Sequence, residues 1–195
     1  MSADGYRFRL LELTDAELRR NSELLQTVFR GAGHLSPPYL RWQYIDNPDG
    51  RAIGCNAFLG DELVGHMTAV PMLGSLEGET VRGLFMLNGA VHPAHQRRRI
   101  QSRISAAIFE EAVKRGYSFC FGTGNRYSTG PLLTRFRMVR PLEARIGFGS
   151  PARRTADITP SFERVWSEEA LRWRLSNPER RYAVRTRPSA MSVIA

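Results

Sequence analysis

The chain has 195 residues, 42% hydrophobic and 24% charged, which suits one well-buried core and is short for two full domains. Its net charge is +9, nearly all from arginine because Lys114 is the only lysine; such a surface attracts polyphosphates, nucleic acid and anionic membranes alike. No apolar run is long enough to cross a membrane as a helix, and two cysteines, Cys55 and Cys120, are too few for a disulfide framework, which points to a reducing cytoplasm.

The N-terminal residues show no basic segment followed by an apolar run, so no secretory signal is expected there. Tyr6 to Leu13 alternates as a first strand. Thr14-Asp15-Ala16-Glu17 has the spacing of a capping box, Leu18 to Phe29 follows at helical period, and Gly31 or Gly33 should end the helix. Ser36-Pro37 starts a short second helix carrying Tyr39, Leu40 and Trp42, closed by Asn47-Pro48. Three strands follow: Ala52 to Leu59, Leu63 to Leu73 with a distortion near Pro71, and Val81 to Val91. Short turns between them predict an antiparallel meander.

Leu84 to Gly116 is the centre of the functional reading. An apolar strand runs into a basic turn and then into a helix in which Ile100, Ile104 and Ile108 recur every fourth residue. Tyr117 to Phe121 should return parallel to the strand before the helix, making a β-α-β unit. Strand, loop and helix in that order aim backbone N–H groups and the positive end of the helix dipole at one place, which favours an anion. Arg97, Arg98, Arg99 and Arg103 cluster there without interleaved aromatics, so a focused phosphate-bearing ligand is favoured over a nucleic-acid groove. Gly122-Thr123-Gly124-Asn125 lies at the carboxyl end of the last strand, where ligand contacts gather. A short helix is expected after Asn125, then a strand from Arg137 to Phe148 and a polar linker from Gly149 to Pro160.

The tail repeats an earlier segment. Ser36-Pro37-Pro38-Tyr39-Leu40-Arg41-Trp42 aligns with Ser167-Glu168-Glu169-Ala170-Leu171-Arg172-Trp173, and Asn47-Pro48 with Asn177-Pro178. The chain thus divides into a domain over 1–149 and a linker with a tail over 150–195 that resembles the start of a second repeat. A Trp-bearing tail also leaves room for a homodimer.

This order of elements resembles the GCN5-related N-acetyltransferase (GNAT) family, in particular bacterial members with a Trp-x-Tyr-x-x-Asn-Pro segment, here Trp42 to Pro48. The resemblance covers Tyr6 to Phe148 and implies an α/β fold with a mixed, mostly antiparallel central sheet flanked by helices. It implies acetyl-coenzyme A, or another acyl-CoA, as co-substrate. The family loop reads Q/R-x-x-G-x-G/A; Gln96 matches its first position, while Arg99 and Gln101 stand where the family has small residues. On this resemblance Gln96, Arg97, Arg98, Arg99, Ile100, Gln101 and Ser102 would hold the pyrophosphate. Gly89, Ala90 and Val91 would polarise the thioester, and Asn125 would contact the coenzyme arm. The family's tyrosine acid is missing near Leu132, and Tyr127, Asn88 and His92 are the polar candidates for catalysis. Asn88-Gly89 reads either as a bulge, as in the family's splayed strands, or as a weak point in the strand. The implied reaction moves an acyl group to an amine on a small molecule or protein. A non-catalytic module of the same fold and a nucleic-acid-binding protein are the rivals. Since His34, His66 and His95 lack ligand spacing, no metal is expected.

Overall fold

The computed structural model describes residues 4–124, 129–135, 138, 162–187 and 190–194. The main sheet has the order β1 (Tyr6–Leu10), β2 (Ile53–Leu59), β3 (Glu62–Leu76), β4 (Glu79–Val91) and β5 (Phe119–Gly122). Tight turns at Gly60-Asp61 and Glu77-Gly78 make β2, β3 and β4 antiparallel, and β1 is antiparallel to β2. β5 follows a helical crossover and runs parallel to β4. This is the mixed, mostly antiparallel sheet that the sequence led us to expect. Pro71 does not distort β3: it pairs in register with Leu84, past the end of β2, where no described strand needs its missing N–H on the β2 side.

Helix α1 (Asp15–Val28) begins where Thr14 Oγ1 accepts from Glu17 N at 3.3 Å. The capping box is only half made. The Glu17 carboxylate accepts instead from Glu12 N at 2.7 Å and pairs with Arg9 of β1, so the buried charge has both a backbone donor and a cation as partners. α1 stops at Val28 with Phe29 as C-cap, before the glycines expected to end it. α2 (Pro37–Tyr44) is capped by Ser36 as its sequence indicates.

Helix α3 (Ile100–Lys114) presses Ile100, Ile104, Ile108 and Ala112 against one sheet face, over Cys55, Ala57, Met67 and Met86. α1 and α2 cover the other face with Leu18, Leu25, Leu40 and Tyr44. Each such buried aliphatic contributes about 2 kcal/mol, so the two helical layers hold the sheet between them. Close approach of α3 requires Gly65, where an added Cβ would lie 2.8 Å from Ile100 Cγ2.

Beyond β5 the described elements are α4 (Thr129–Arg135), β6 (Phe162–Arg164), α5 (Glu168–Leu175) and a hairpin of β7 (Ala183–Arg187) and β8 (Ala190–Ile194). The expected strand at Arg137 to Phe148 and the linker lie almost wholly outside the described residues. β6 adds to the main sheet beside Gly74 to Leu76 of β3. The internal echo has a structural counterpart in α2 and α5. The Trp42 and Trp173 rings stack with centroids 4.7 Å apart, and each indole Nε1 donates to the other's backbone carbonyl at 2.8 Å. Asn47 Oδ1 accepts from Asp49 N at 3.2 Å, and Asn177 Oδ1 accepts from Glu179 N at 2.9 Å, so both Asn-Pro turns are built alike. Replacing Trp173 with Ala removes the stacked face and about 2 kcal/mol of docking energy. Limited proteolysis should then cut the chain ahead of α5 faster while the main sheet stays resistant; unchanged cleavage would show that the stack does not hold α5.

Candidate active site at the β4 bulge

β4 pairs with β5 only from Gly83–Phe119 to Met86–Gly122. Past that point Leu87 to Val91 have no strand neighbour on the β5 side among the described residues, so a run of backbone is open there. On the other side the register with β3 shifts between His66–Ala90 and Thr68–Leu87, placing Asn88 and Gly89 opposite the single residue Met67. Asn88-Gly89 is therefore a β-bulge. Asn88 supplies the left-handed backbone there with φ +53, a conformation asparagine tolerates better than most residues.

Val91 leads into His92 and a 3₁₀ turn at Pro93–His95, and then into the basic loop. Gln96 Nε2 donates to Val91 O at 3.3 Å and ties the loop back to the end of β4. Arg97 and Arg99 sit at φ +64 and +59. The backbone thus keeps a left-handed residue at position 99, where the resembling pattern has glycine, although the residue is arginine. α3 starts on Arg99 with no side-chain cap and no acidic residue in its first turn, so nothing anionic of its own satisfies the dipole. Arg97, Arg98 and Arg99 are exposed and have no acidic partner among the described residues. Arg103 leaves the cluster: it pairs with Asp4 at 2.7 Å and stacks over Phe8 at 4.0 Å.

The other members of the loop divide by role. The Ile100 side chain is buried in the core, so only its backbone can face a ligand. Ala90 is also buried, with its side chain on the α1–α2 side. Gln101 bridges loop and bulge, its Nε2 donating to Met67 Sδ at 3.0 Å. That amide covers Gly89 so closely that an added Cβ would meet it at 2.9 Å. His92 turns its Nδ1 toward Ala94 N at 3.4 Å, and its ring lies 5.8 Å from that of His95. Asn125 and Tyr127 lie outside the described residues.

Sequence reasoning missed the polar chain behind Asn88. Asn88 Nδ2 donates to Tyr44 Oη at 2.7 Å and to Gln43 Oε1 at 3.0 Å, so both of its amide hydrogens are committed. Tyr44 O–H in turn meets His66 Nε2 at 3.2 Å, and His66 Nδ1 meets Asn56 Oδ1 at 2.7 Å. With Asn56 Oδ1 as acceptor, the ring carries its proton on Nδ1 and Nε2 accepts from tyrosine. Complete burial lowers the His66 pKa to about 3, so the imidazole stays neutral, and burial raises that of Tyr44. Burial pushes the Cys55 thiol up to about 11 and raises that of Cys120 as well, so neither is activated toward the thiolate. The one available signal was Tyr44 in the Trp-x-Tyr segment; nothing in sequence spacing links it to His66 or Asn88.

The site is thus a mixed sheet that opens beside a bulged strand and feeds an uncapped helix through a basic loop, within an α/β domain. A family model described as an acetyltransferase (GNAT) domain matches residues 9–136, and the chain belongs to that family. Among curated proteins none matches. Solved structures share the fold at low identity. Glucosamine-6-phosphate N-acetyltransferase from Arabidopsis thaliana superposes with TM-score 0.56 and 10% identity over 73% of this chain and 97% of that one. An aminoglycoside acetyltransferase from an uncultured soil metagenomic sample, in complex with sisomicin, gives 0.52 and 16% over 75% and 95%. A probable N-acyltransferase from Enterococcus faecalis V583 gives 0.55 and 11% over 67% of this chain but 32% of that one, so this chain spans about a third of its length. At the level of the family, this is an N-acetyltransferase domain, and no helix among the described residues is long and apolar enough to cross a membrane.

Proposed function

We propose that the chain transfers an acetyl or related acyl group from coenzyme A to the amine of a small molecule. The observation that carries this reading is the conjunction at β4: open backbone from Leu87 to Val91, a bulge at Asn88-Gly89, and an unpaired arginine loop at the start of an uncapped helix. Phosphates would meet the Arg97–Arg99 guanidinium groups and the first amides of α3, and backbone N–H groups near Gly89 to Val91 would polarise the thioester carbonyl. The amine nitrogen attacks that carbonyl carbon, the C–N bond forms as the C–S bond breaks, and the nitrogen's surplus proton leaves with the thiolate. Because both Asn88 amide hydrogens are held from behind, its Oδ1 is the atom left to accept from an incoming N–H. No shifted base is needed where positioning supplies much of the rate. An amino sugar is the acceptor class we favour, since two structures of this fold carry names of amino-sugar enzymes.

A second reading, a binding module that has lost the reaction, is favoured by one contact: Gln101 lies across Gly89 where the resembling pattern has a small residue. Calorimetry with acetyl-coenzyme A at moderate salt separates the two. Transferase function requires one coenzyme per chain, weakening as salt rises, and thiol release when glucosamine-type amines are added. Binding without thiol release supports the module, and absence of heat overturns both coenzyme readings.

A further inference from the structure

We propose that Glu62, His92 and His95 form a binding site for one borderline divalent cation of the Zn²⁺ class, beside the turn that feeds the arginine loop. One donor atom from each of the three lies within 4.8 Å of the other two. The expectation of no metal weighed only the spacing of His34, His66 and His95; His92 stands three residues before His95, and the sheet brings in Glu62, since His92 N donates to Val64 O at 2.9 Å and docks the end of β4 against the first residues of β3. His95 N donates to His92 O at 2.9 Å, and Pro93 stiffens the turn between the two rings. All three donors therefore hang from backbone that is already tied down.

Tyr6 gives independent support. Its hydroxyl lies 2.9 Å from His95 Nδ1, so an Nδ1–H donated to the phenol oxygen leaves the Nε2 lone pair free, the outer contact that metal-bound histidines use. His92 has a weaker tie, a 3.4 Å contact from Ala94 N to Nδ1, which ligation through Nε2 would replace by moving the ring proton to Nδ1. Metal–ligand bonds near 2.0–2.2 Å put tetrahedral donors about 3.3 Å apart, so the side chains must close by roughly 1.5 Å at most. His92 and His95 are half-buried and Glu62 is exposed, so rotation about their side-chain bonds can supply that closure. Two imidazoles and one carboxylate suit Zn²⁺ and its transition-metal neighbours; Mg²⁺ and Ca²⁺ prefer oxygen.

The test is calorimetry of the full chain, stripped of metal by chelation, with ZnCl₂, and thermal melting in parallel. One Zn²⁺ per chain and a Tm that climbs with zinc concentration are expected, with no response to MgCl₂ at the same concentrations. His92→Ala and His95→Ala should each lower affinity at least tenfold. Tyr6→Phe, which keeps the ring and loses only the hydroxyl, should lower it about tenfold. These side chains are outside the core except Tyr6, and circular dichroism checks that each variant folds. Absence of zinc binding overturns the site, and so does binding that survives the double His92→Ala, His95→Ala variant.

Discussion

Taking the chain from pH 6.5 to 4.5 should cost about 2 kcal/mol of stability through His66 alone, and His66→Gln should remove that part of the pH dependence. The unfolded ring titrates near 6.5 and the buried one near 3, so across that interval the unfolded state binds the extra proton. Stability from this group is complete above pH 6.5, falls by about 1.4 kcal/mol per pH unit below it, and is gone once pH drops through the folded pKa. Glutamine offers an N–H to Asn56 and an oxygen to Tyr44 without titrating, so it replaces both hydrogen bonds. Urea unfolding at several pH values would measure the two slopes. Carboxylates contribute to both, so the difference belongs to His66, and parallel curves would mean that its ring does not stay neutral in the fold.

The same residue shows what the sequence could and could not reveal. Strands, helices and their order were legible because periodicity, the Ser36 cap and the turn glycines act locally. The bulge was ambiguous in sequence, since Asn88-Gly89 reads either as a bulge or as a weak point in the strand; the pairing of Met67 against two residues settles it. His66 looked isolated because its partners, Asn56, Tyr44 and through it Asn88, come from two other strands and a helix. Burial also decided the capping box, where Arg9 drew Glu17 away from Thr14. The zinc donors follow the same rule in one respect: His92 and His95 share a turn three residues apart, but only the pairing of β3 with β4 brings Glu62 to them. Helix-start chemistry was readable in the arginine run, yet the departure of Arg103 toward Asp4 was not, because that pairing depends on where β1 lies against α3.

Trimming Gln101 to Ala should raise affinity for acetyl-coenzyme A about tenfold, the opposite of what loss of a binding residue would do. The Gln101 amide occupies the space over Gly89 and is held by Met67 Sδ at 3.0 Å. A ligand lying along the open backbone of β4 must first displace it, giving up that contact and its packing. About 1.4 kcal/mol of displacement cost corresponds to the tenfold change. Arg99 has a separate effect. Its left-handed backbone costs a non-glycine residue about 1–2 kcal/mol, so Arg99→Gly should stabilise the fold by about 1 kcal/mol while weakening phosphate binding through the lost charge. Gln101→Ala and Arg99→Gly thus move affinity in opposite directions, which a general loosening of the loop would not do. Calorimetric titration of both variants, with urea melts for stability, reads the signs directly. If Gln101→Ala leaves affinity unchanged, the ligand does not pass over Gly89. The resemblance to the small-residue loop would then describe the backbone of this site and not its use.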